Sequence, residues 1–141
     1  MVHLLIVDQP AGVGYSVGAD GESVTNTEEA IYDLYNALRN FYSLGEGTDC
    51  DFAKYLNNSF NIFGESYAGH YIPVLAEKII YFDNLVGNTF NLKLHCKLVY
   101  SYINIHSIAI GMGNPWIDPY TQMSENGNFA EALGLINTQE R

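Results

Sequence analysis

The run Phe60-Asn61-Ile62-Phe63-Gly64-Glu65-Ser66-Tyr67-Ala68-Gly69-His70-Tyr71 constrains this chain more than any other. A short apolar run, a cluster of small residues around one serine and a following helical pattern predict a strand, a tight turn and a helix. A serine at the apex of such a turn sits on strained backbone, and strand and helix approach so closely that the flanking positions must be nearly free of side chain. Gly64 and Ala68, two residues to either side of Ser66, meet that demand, and Gly69 gives further room where the helix packs on its strand. The apex hydroxyl then lies near the helix N-terminus, whose free N–H groups and dipole favour a developing negative charge. Ser66 is therefore the candidate nucleophile. Tyr67, the next residue, is the candidate oxyanion-hole donor through its backbone N–H, while its ring reads as packing, with a pocket wall as the alternative.

The rest of the chain reads as an α/β alternation. Leu4 to Val7 is a continuous apolar run ended by Asp8-Gln9-Pro10, as for a strand covered on both faces. Glycines at 12, 14, 18 and 21 make a loop, and Thr25-Asn26-Thr27-Glu28 fits a capping box. Ile31, Leu34, Tyr35, Leu38, Phe41 and Tyr42 follow at helical spacing, giving a helix over 26–44 stopped by Gly45 and Gly47. A strand over 60–63, a helix from His70 to Tyr81 broken or restarted at Pro73, and a buried strand over 105–110 come next. Asn126 to Leu135 reads as a short closing helix with Phe129, Ala132, Leu133 and Ile136 on one face. Strands 4–7, 60–63 and 105–110 are expected to neighbour one another in one mainly parallel sheet flanked by helices.

Composition limits the partners. Six basic against sixteen acidic residues give a net charge of −10, which argues against nucleic acid or an anionic membrane. The richest apolar run, Leu98 to Ile110, is interrupted by Ser101, Asn104 and His106 and is too short to span a bilayer. Met1 to Val7 has no basic start, too short an apolar core and no small-residue cleavage site, so no signal peptide is read in this chain. Cys50 and Cys96 lack metal-binding spacing and are either a disulfide or two free thiols; Asn57-Asn58-Ser59 is a glycosylation sequon relevant to a secreted chain. No His-x-x-x-His pair or phosphate-cradling glycine loop occurs, so no metal and no cofactor is expected.

Three segments together resemble the serine carboxypeptidases. Gly64-Glu65-Ser66-Tyr67-Ala68-Gly69-His70-Tyr71-Ile72-Pro73 resembles that family's nucleophile segment, and Asp8-Gln9-Pro10-Ala11-Gly12-Val13-Gly14-Tyr15-Ser16 its strand-and-turn signature. Gly113-Asn114-Pro115-Trp116-Ile117-Asp118-Pro119 is similar to its Gly-Asn-Gly-x-x-Asp-Pro turn, with Pro115 where glycine is usual. The resemblance runs from about residue 2 to about residue 137 and implies one partial α/β-hydrolase domain over 1–141, the middle part of a family member. Residues 84–103 fit it poorly and read as an insertion or flexible segment.

The resemblance implies a serine-type carboxypeptidase acting on peptide or protein C-termini, in a secreted, vacuolar or lysosomal setting. It implies that Glu65 binds the substrate's terminal carboxylate. Two carboxylates can meet only by sharing a proton, which implies an acidic optimum. It further implies that one oxyanion loop precedes Met1 and that the triad aspartate and histidine follow Arg141. Within the chain, the histidines after Ser66 are His70, His95 and His106, and none is expected to serve as base: His70 projects along the elbow helix away from the apex, and the resemblance gives it a structural role; His106 lies in a strand beneath the helices; His95 falls in the unplaced stretch, where pairing with Asp83 is the weak alternative. An unaided hydroxyl is hardly ionised near neutral pH, so the isolated chain is expected to be inactive. The alternatives are a non-catalytic remnant, a weak peptide-binding fragment, or another α/β-hydrolase such as an esterase.

Overall fold

The computed structural model describes residues 2–18, 24–43, 52–55, 58–86 and 109–141. Cys50, Cys96, His95, His106, Asn57 of the sequon, the glycines expected to stop the first helix, and residues 87–103 of the unplaced stretch lie outside the described residues.

Helix α1 (Thr27–Ser43) forms where the apolar spacing predicts it. Its start is shifted by one residue from the expected capping box. Asn26, not Thr25, caps the helix by accepting the Glu29 N–H at 2.9 Å, and the Glu29 carboxylate reaches back to the N–H and hydroxyl of Thr25 at 3.1 and 3.0 Å. Asparagine and serine-type caps are close in strength, so placement of the apolar stripe decides between them. The bond from the Thr25 backbone N–H, then that from its hydroxyl, hold the Glu29 carboxyl below its usual range.

Strand β1 (Ile62–Glu65) leads into helix α2 (Ala68–Val86), and strand β2 (Ile110–Gly113) lies parallel beside β1 with Ile62 opposite Ile110 and Glu65 opposite Gly113. β1 thus runs two residues further toward Ser66 than expected, because the ladder continues through Gly64 and Glu65. Of the expected strand over 105–110, 105–108 lie outside the described residues, and the ladder begins at Ile110. Residues 84–86, the start of the stretch read as an insertion or flexible segment, form the end of α2.

The core is the seam between α1 and α2. Ile31, Tyr35 and Leu38 of α1 meet Leu75 and Ile79 of α2, all buried, with Phe60 and Ile62 packed against them. α2 runs unbroken through Pro73, contrary to the expected break. A proline inside a helix costs about 3 kcal/mol. Burying Ile72, Leu75 and Ile79 on the same helix returns about 1.5–3 kcal/mol each, so packing wins.

Two expectations need correction. Residues 4–7 form no strand; Leu4 and Ile6 are 83% and 79% exposed, since no described strand lies beside them to accept a ladder. The segment is instead anchored from its ends, by the His3 ring against Tyr55 and by the Gln9 amide donating to the Ala30 carbonyl at 2.8 Å. The expected closing helix over 126–135 is shorter than expected, as α4 (Asn126–Ala132), and is preceded by a separate helix, α3 (Pro119–Ser124), not expected from the sequence; the two touch only each other among the described elements. α4 ends before Leu135, where Gly134 takes a positive φ of 70°, and Phe129 and Leu133 are exposed.

The turn after residue 7 closes on itself. The Asp8 carboxylate accepts the Tyr15 N–H at 2.9 Å, and the Ser16 hydroxyl donates to the Asp8 carbonyl at 2.7 Å. The Gln9–Pro10 peptide is cis. A Cβ at Gly14, which has φ 57°, would fall on the Asp8 carboxylate, so glycine is required there on two counts.

Candidate active site

Ser66 stands between the last residue of β1 and the first turn of α2, at the carboxyl end of its strand, with φ 58°. A non-glycine residue in this region is uncommon and needs its surroundings to hold it there. Those surroundings are backbone. The Ser66 N–H donates to the Gly113 carbonyl at 3.0 Å, and the Ser66 carbonyl accepts the N–H groups of Trp116 at 2.8 Å and Gly69 at 3.0 Å. The end of β2 and the turn after it therefore hold the serine by both its N–H and its C=O.

The small residues are there for contact. A Cβ at Gly64 would stand 2.5 Å from the Ala68 Cβ and 3.1 Å from the Ile72 Cδ1. One at Gly69, which is buried, would stand 2.7–2.8 Å from the backbone N, C and O of Trp116. These are backbone atoms that cannot swing aside. Gly69→Ala is accordingly expected to cost about 1–3 kcal/mol through overpacking, read as a lowered denaturant midpoint at unchanged slope. An unchanged midpoint would show that the helix and the Trp116 turn can part freely.

Glu65 and Phe63 occupy the face of β1 turned away from α2, and both are exposed. Phe63 lies over Gly111 and Glu65 over Gly113, whose missing side chains leave the strand surface open beside the serine. The N–H groups of Tyr67 and Ala68 meet no acceptor among the described residues. They open the N-terminus of α2 next to Ser66, an arrangement able to receive negative charge.

Tyr67 packs its ring against His70, Tyr71 and Trp116, with centroids 4.6, 5.0 and 6.1 Å away. Burial, with Tyr67 adding to it, raises the Tyr71 hydroxyl above its ordinary range. The His70 ring also faces Trp116 at 5.9 Å, so its described contacts are aromatic neighbours. No hydrogen bond joins the Ser66 hydroxyl to another described residue. His95 and His106 lie outside the described residues. No group of three potential metal ligands occurs among the described residues, and no described helix is long and apolar enough to cross a membrane.

Sequence reasoning missed one feature of this region, the side chain of Gln122. Its Oε1 accepts the N–H groups of Ile117 and Asp118 at 3.0 and 3.1 Å, and its Nε2 donates to the Pro115 carbonyl at 2.9 Å. Asp118 caps α3 by accepting from the Thr121 hydroxyl at 2.5 Å and N–H at 3.4 Å; the hydroxyl bond chiefly lowers its carboxyl below the usual range. The Asp118-Pro119 pair signals a helix start. Nothing in the spacing signals that a glutamine four residues on will bend back over the turn.

Comparison with known proteins gives a single family. The family model described as serine carboxypeptidase matches residues 1–141. A serine carboxypeptidase family member of Dictyostelium discoideum is 37% identical over 138 residues, 97% of this chain and 28% of the relative. Carboxypeptidase Y of Schizosaccharomyces pombe is 35% identical over 139 residues, 97% of this chain and 13% of the relative. Among solved structures, a prohormone-processing carboxypeptidase from Saccharomyces cerevisiae superposes with a TM-score of 0.67 at 27% identity, over 93% of this chain and 25% of that one. The chain thus spans about a quarter or less of each of these proteins.

Proposed function

The chain belongs to the serine carboxypeptidase family, and from that premise we propose that it carries the nucleophile segment of a serine-type carboxypeptidase with Ser66 as the attacking residue. The observation that carries the proposal is Ser66 itself, held at φ 58° at the carboxyl end of β1 beside the open N-terminus of α2. Ligands of open α/β sheets gather at that edge of the sheet.

In this reading the Ser66 Oγ attacks the carbonyl carbon of the last peptide bond as its proton passes to a general base. The oxyanion so formed accepts the Tyr67 N–H, supported by the open helix end. The tetrahedral adduct collapses by breaking the C–N bond, and the departing amine takes the proton and leaves as the C-terminal amino acid. Water then hydrolyses the acyl-Ser66 ester by the reverse sequence of proton transfers. The base and its aspartate belong to the flanks of a complete family member, as does a second oxyanion donor; such a protein acts in a secreted, vacuolar or lysosomal setting.

Glu65 selects substrates with a free C-terminus. It lies on the open strand face next to Ser66, and its carboxyl group holds the terminal carboxyl of the peptide through one shared proton. In a full-length form restoring both flanks, Glu65→Gln is expected to reduce the preference for free over amidated C-termini by about 10- to 100-fold, the worth of a hydrogen bond to a charged group. The check is kcat/KM on a matched pair of N-blocked dipeptides, acid and amide, from pH 4 to 7. Wild-type preference for the acid should fall as pH rises, and an acid-to-amide ratio untouched by the substitution would remove Glu65 from recognition.

A further inference from the structure

We infer that Gln122 is a positioning residue for the Ser66 nucleophile, acting by bracing the turn at 115–118 that holds the elbow. The inference rests on the carboxypeptidase reading above.

The turn from Asn114 to Asp118 has little to stiffen it from within. Asn114 sits at φ 42°, and Pro115 has no N–H to give. One side chain supplies what is missing: Gln122 receives two N–H groups, from Ile117 and Asp118, and donates to the Pro115 carbonyl, spanning the whole turn with three bonds. Gln122 is in turn anchored, because its own N–H donates to the Asp118 carbonyl at 2.9 Å in the first turn of α3. The middle residue of the braced stretch is Trp116, whose N–H donates to the Ser66 carbonyl and whose backbone is the surface against which Gly69 packs. A change in the pitch of 115–118 therefore reaches Ser66 through its own carbonyl and through the first turn of α2. No hydrogen bond joins Gln122 to Ser66, so its effect is on where the hydroxyl points.

Its amide is suited to this as few side chains are, since the brace needs an acceptor for two N–H groups and a donor for one carbonyl in one planar unit. Alanine removes all three bonds. Glutamate keeps the two accepted ones and sets a carboxylate oxygen against the Pro115 carbonyl.

The test compares wild type, Gln122→Ala, Gln122→Glu and Ser124→Ala in the full-length form, by the rate of fluorophosphonate labelling at Ser66 and by hydrolysis of an N-blocked dipeptide acid. Gln122→Ala is expected to slow labelling and kcat by about 10- to 100-fold, the scale of a misplaced reacting group, while KM stays within about twofold. Gln122→Glu should fall between it and wild type. Ser124→Ala, which removes only the bond from the Ser124 hydroxyl to the Thr121 carbonyl on the same helix, should match wild type. Should Gln122→Ala not fold, Gln122→Glu decides by the same readouts. Labelling of both Gln122 variants at the wild-type rate, or a loss carried by KM alone, overturns the positioning role and leaves the carboxypeptidase reading standing. A wild-type protein that is not labelled at Ser66 overturns that reading, and the positioning role with it.

Discussion

Ser66→Ala in a full-length form is expected to abolish fluorophosphonate labelling and to lower peptide turnover by about a millionfold, equivalent to about 8 kcal/mol of barrier. The size follows from the cooperation of nucleophile, base and oxyanion donors: in a worked protease case, loss of the serine alone costs about as much as loss of the whole triad. The same reasoning makes the 141-residue chain a control. No described group hydrogen-bonds the Ser66 hydroxyl, so this chain alone should release no amino acid from a blocked dipeptide between pH 4 and 7 and should resist the probe. Labelling of the short chain that disappears with Ser66→Ala would mean that a base resides within these residues. Residual turnover in the full-length Ser66→Ala protein above about a thousandth of wild type would move the nucleophile elsewhere.

Ile31→Ala is expected to cost about 2–5 kcal/mol, the largest stability effect of any single truncation considered. Ile31 is 0% exposed and sits in the seam where α1 meets Leu75 and Ile79, so its removal leaves both lost burial and a cavity. Such a loss is a large share of the 5–15 kcal/mol that usually separates folded from unfolded protein. The measurement is the denaturant midpoint, compared with Phe129→Ala, whose ring is 66% exposed and should shift stability by no more than about 0.5 kcal/mol. Equal effects at the two positions would show that the α1–α2 seam is not the core.

What the sequence makes legible is what local chemistry determines. The elbow could be read because a serine between Gly64 and Ala68 leaves few backbones open to it, and α1 because its apolar residues recur at helical spacing. Residues 4–7 misled for a physical reason: apolar continuity reports a need for burial, whereas a strand also needs neighbours for its N–H and C=O groups, and no described strand supplies them. Pro73 is illegible as helix interior because its penalty is local, whereas the burial of Ile72, Leu75 and Ile79 that outweighs it exists only in the folded chain. The shift from Thr25 to Asn26 at the start of α1 lies between two near-equal caps. Gln122 was illegible because its partners are backbone groups, alike in every residue, and only the folded turn brings them within reach of its amide.

α2 begins two residues after Ser66 and supplies Leu75 and Ile79 to the buried seam further along its length. In the proposed full-length enzyme, heat inactivation and unfolding of this region should for that reason coincide, because one continuous helix joins the elbow to the seam. Substitutions at Ile72, Leu75 or Ile79 that loosen the seam would then shorten the working life of that enzyme without altering its rate per intact molecule.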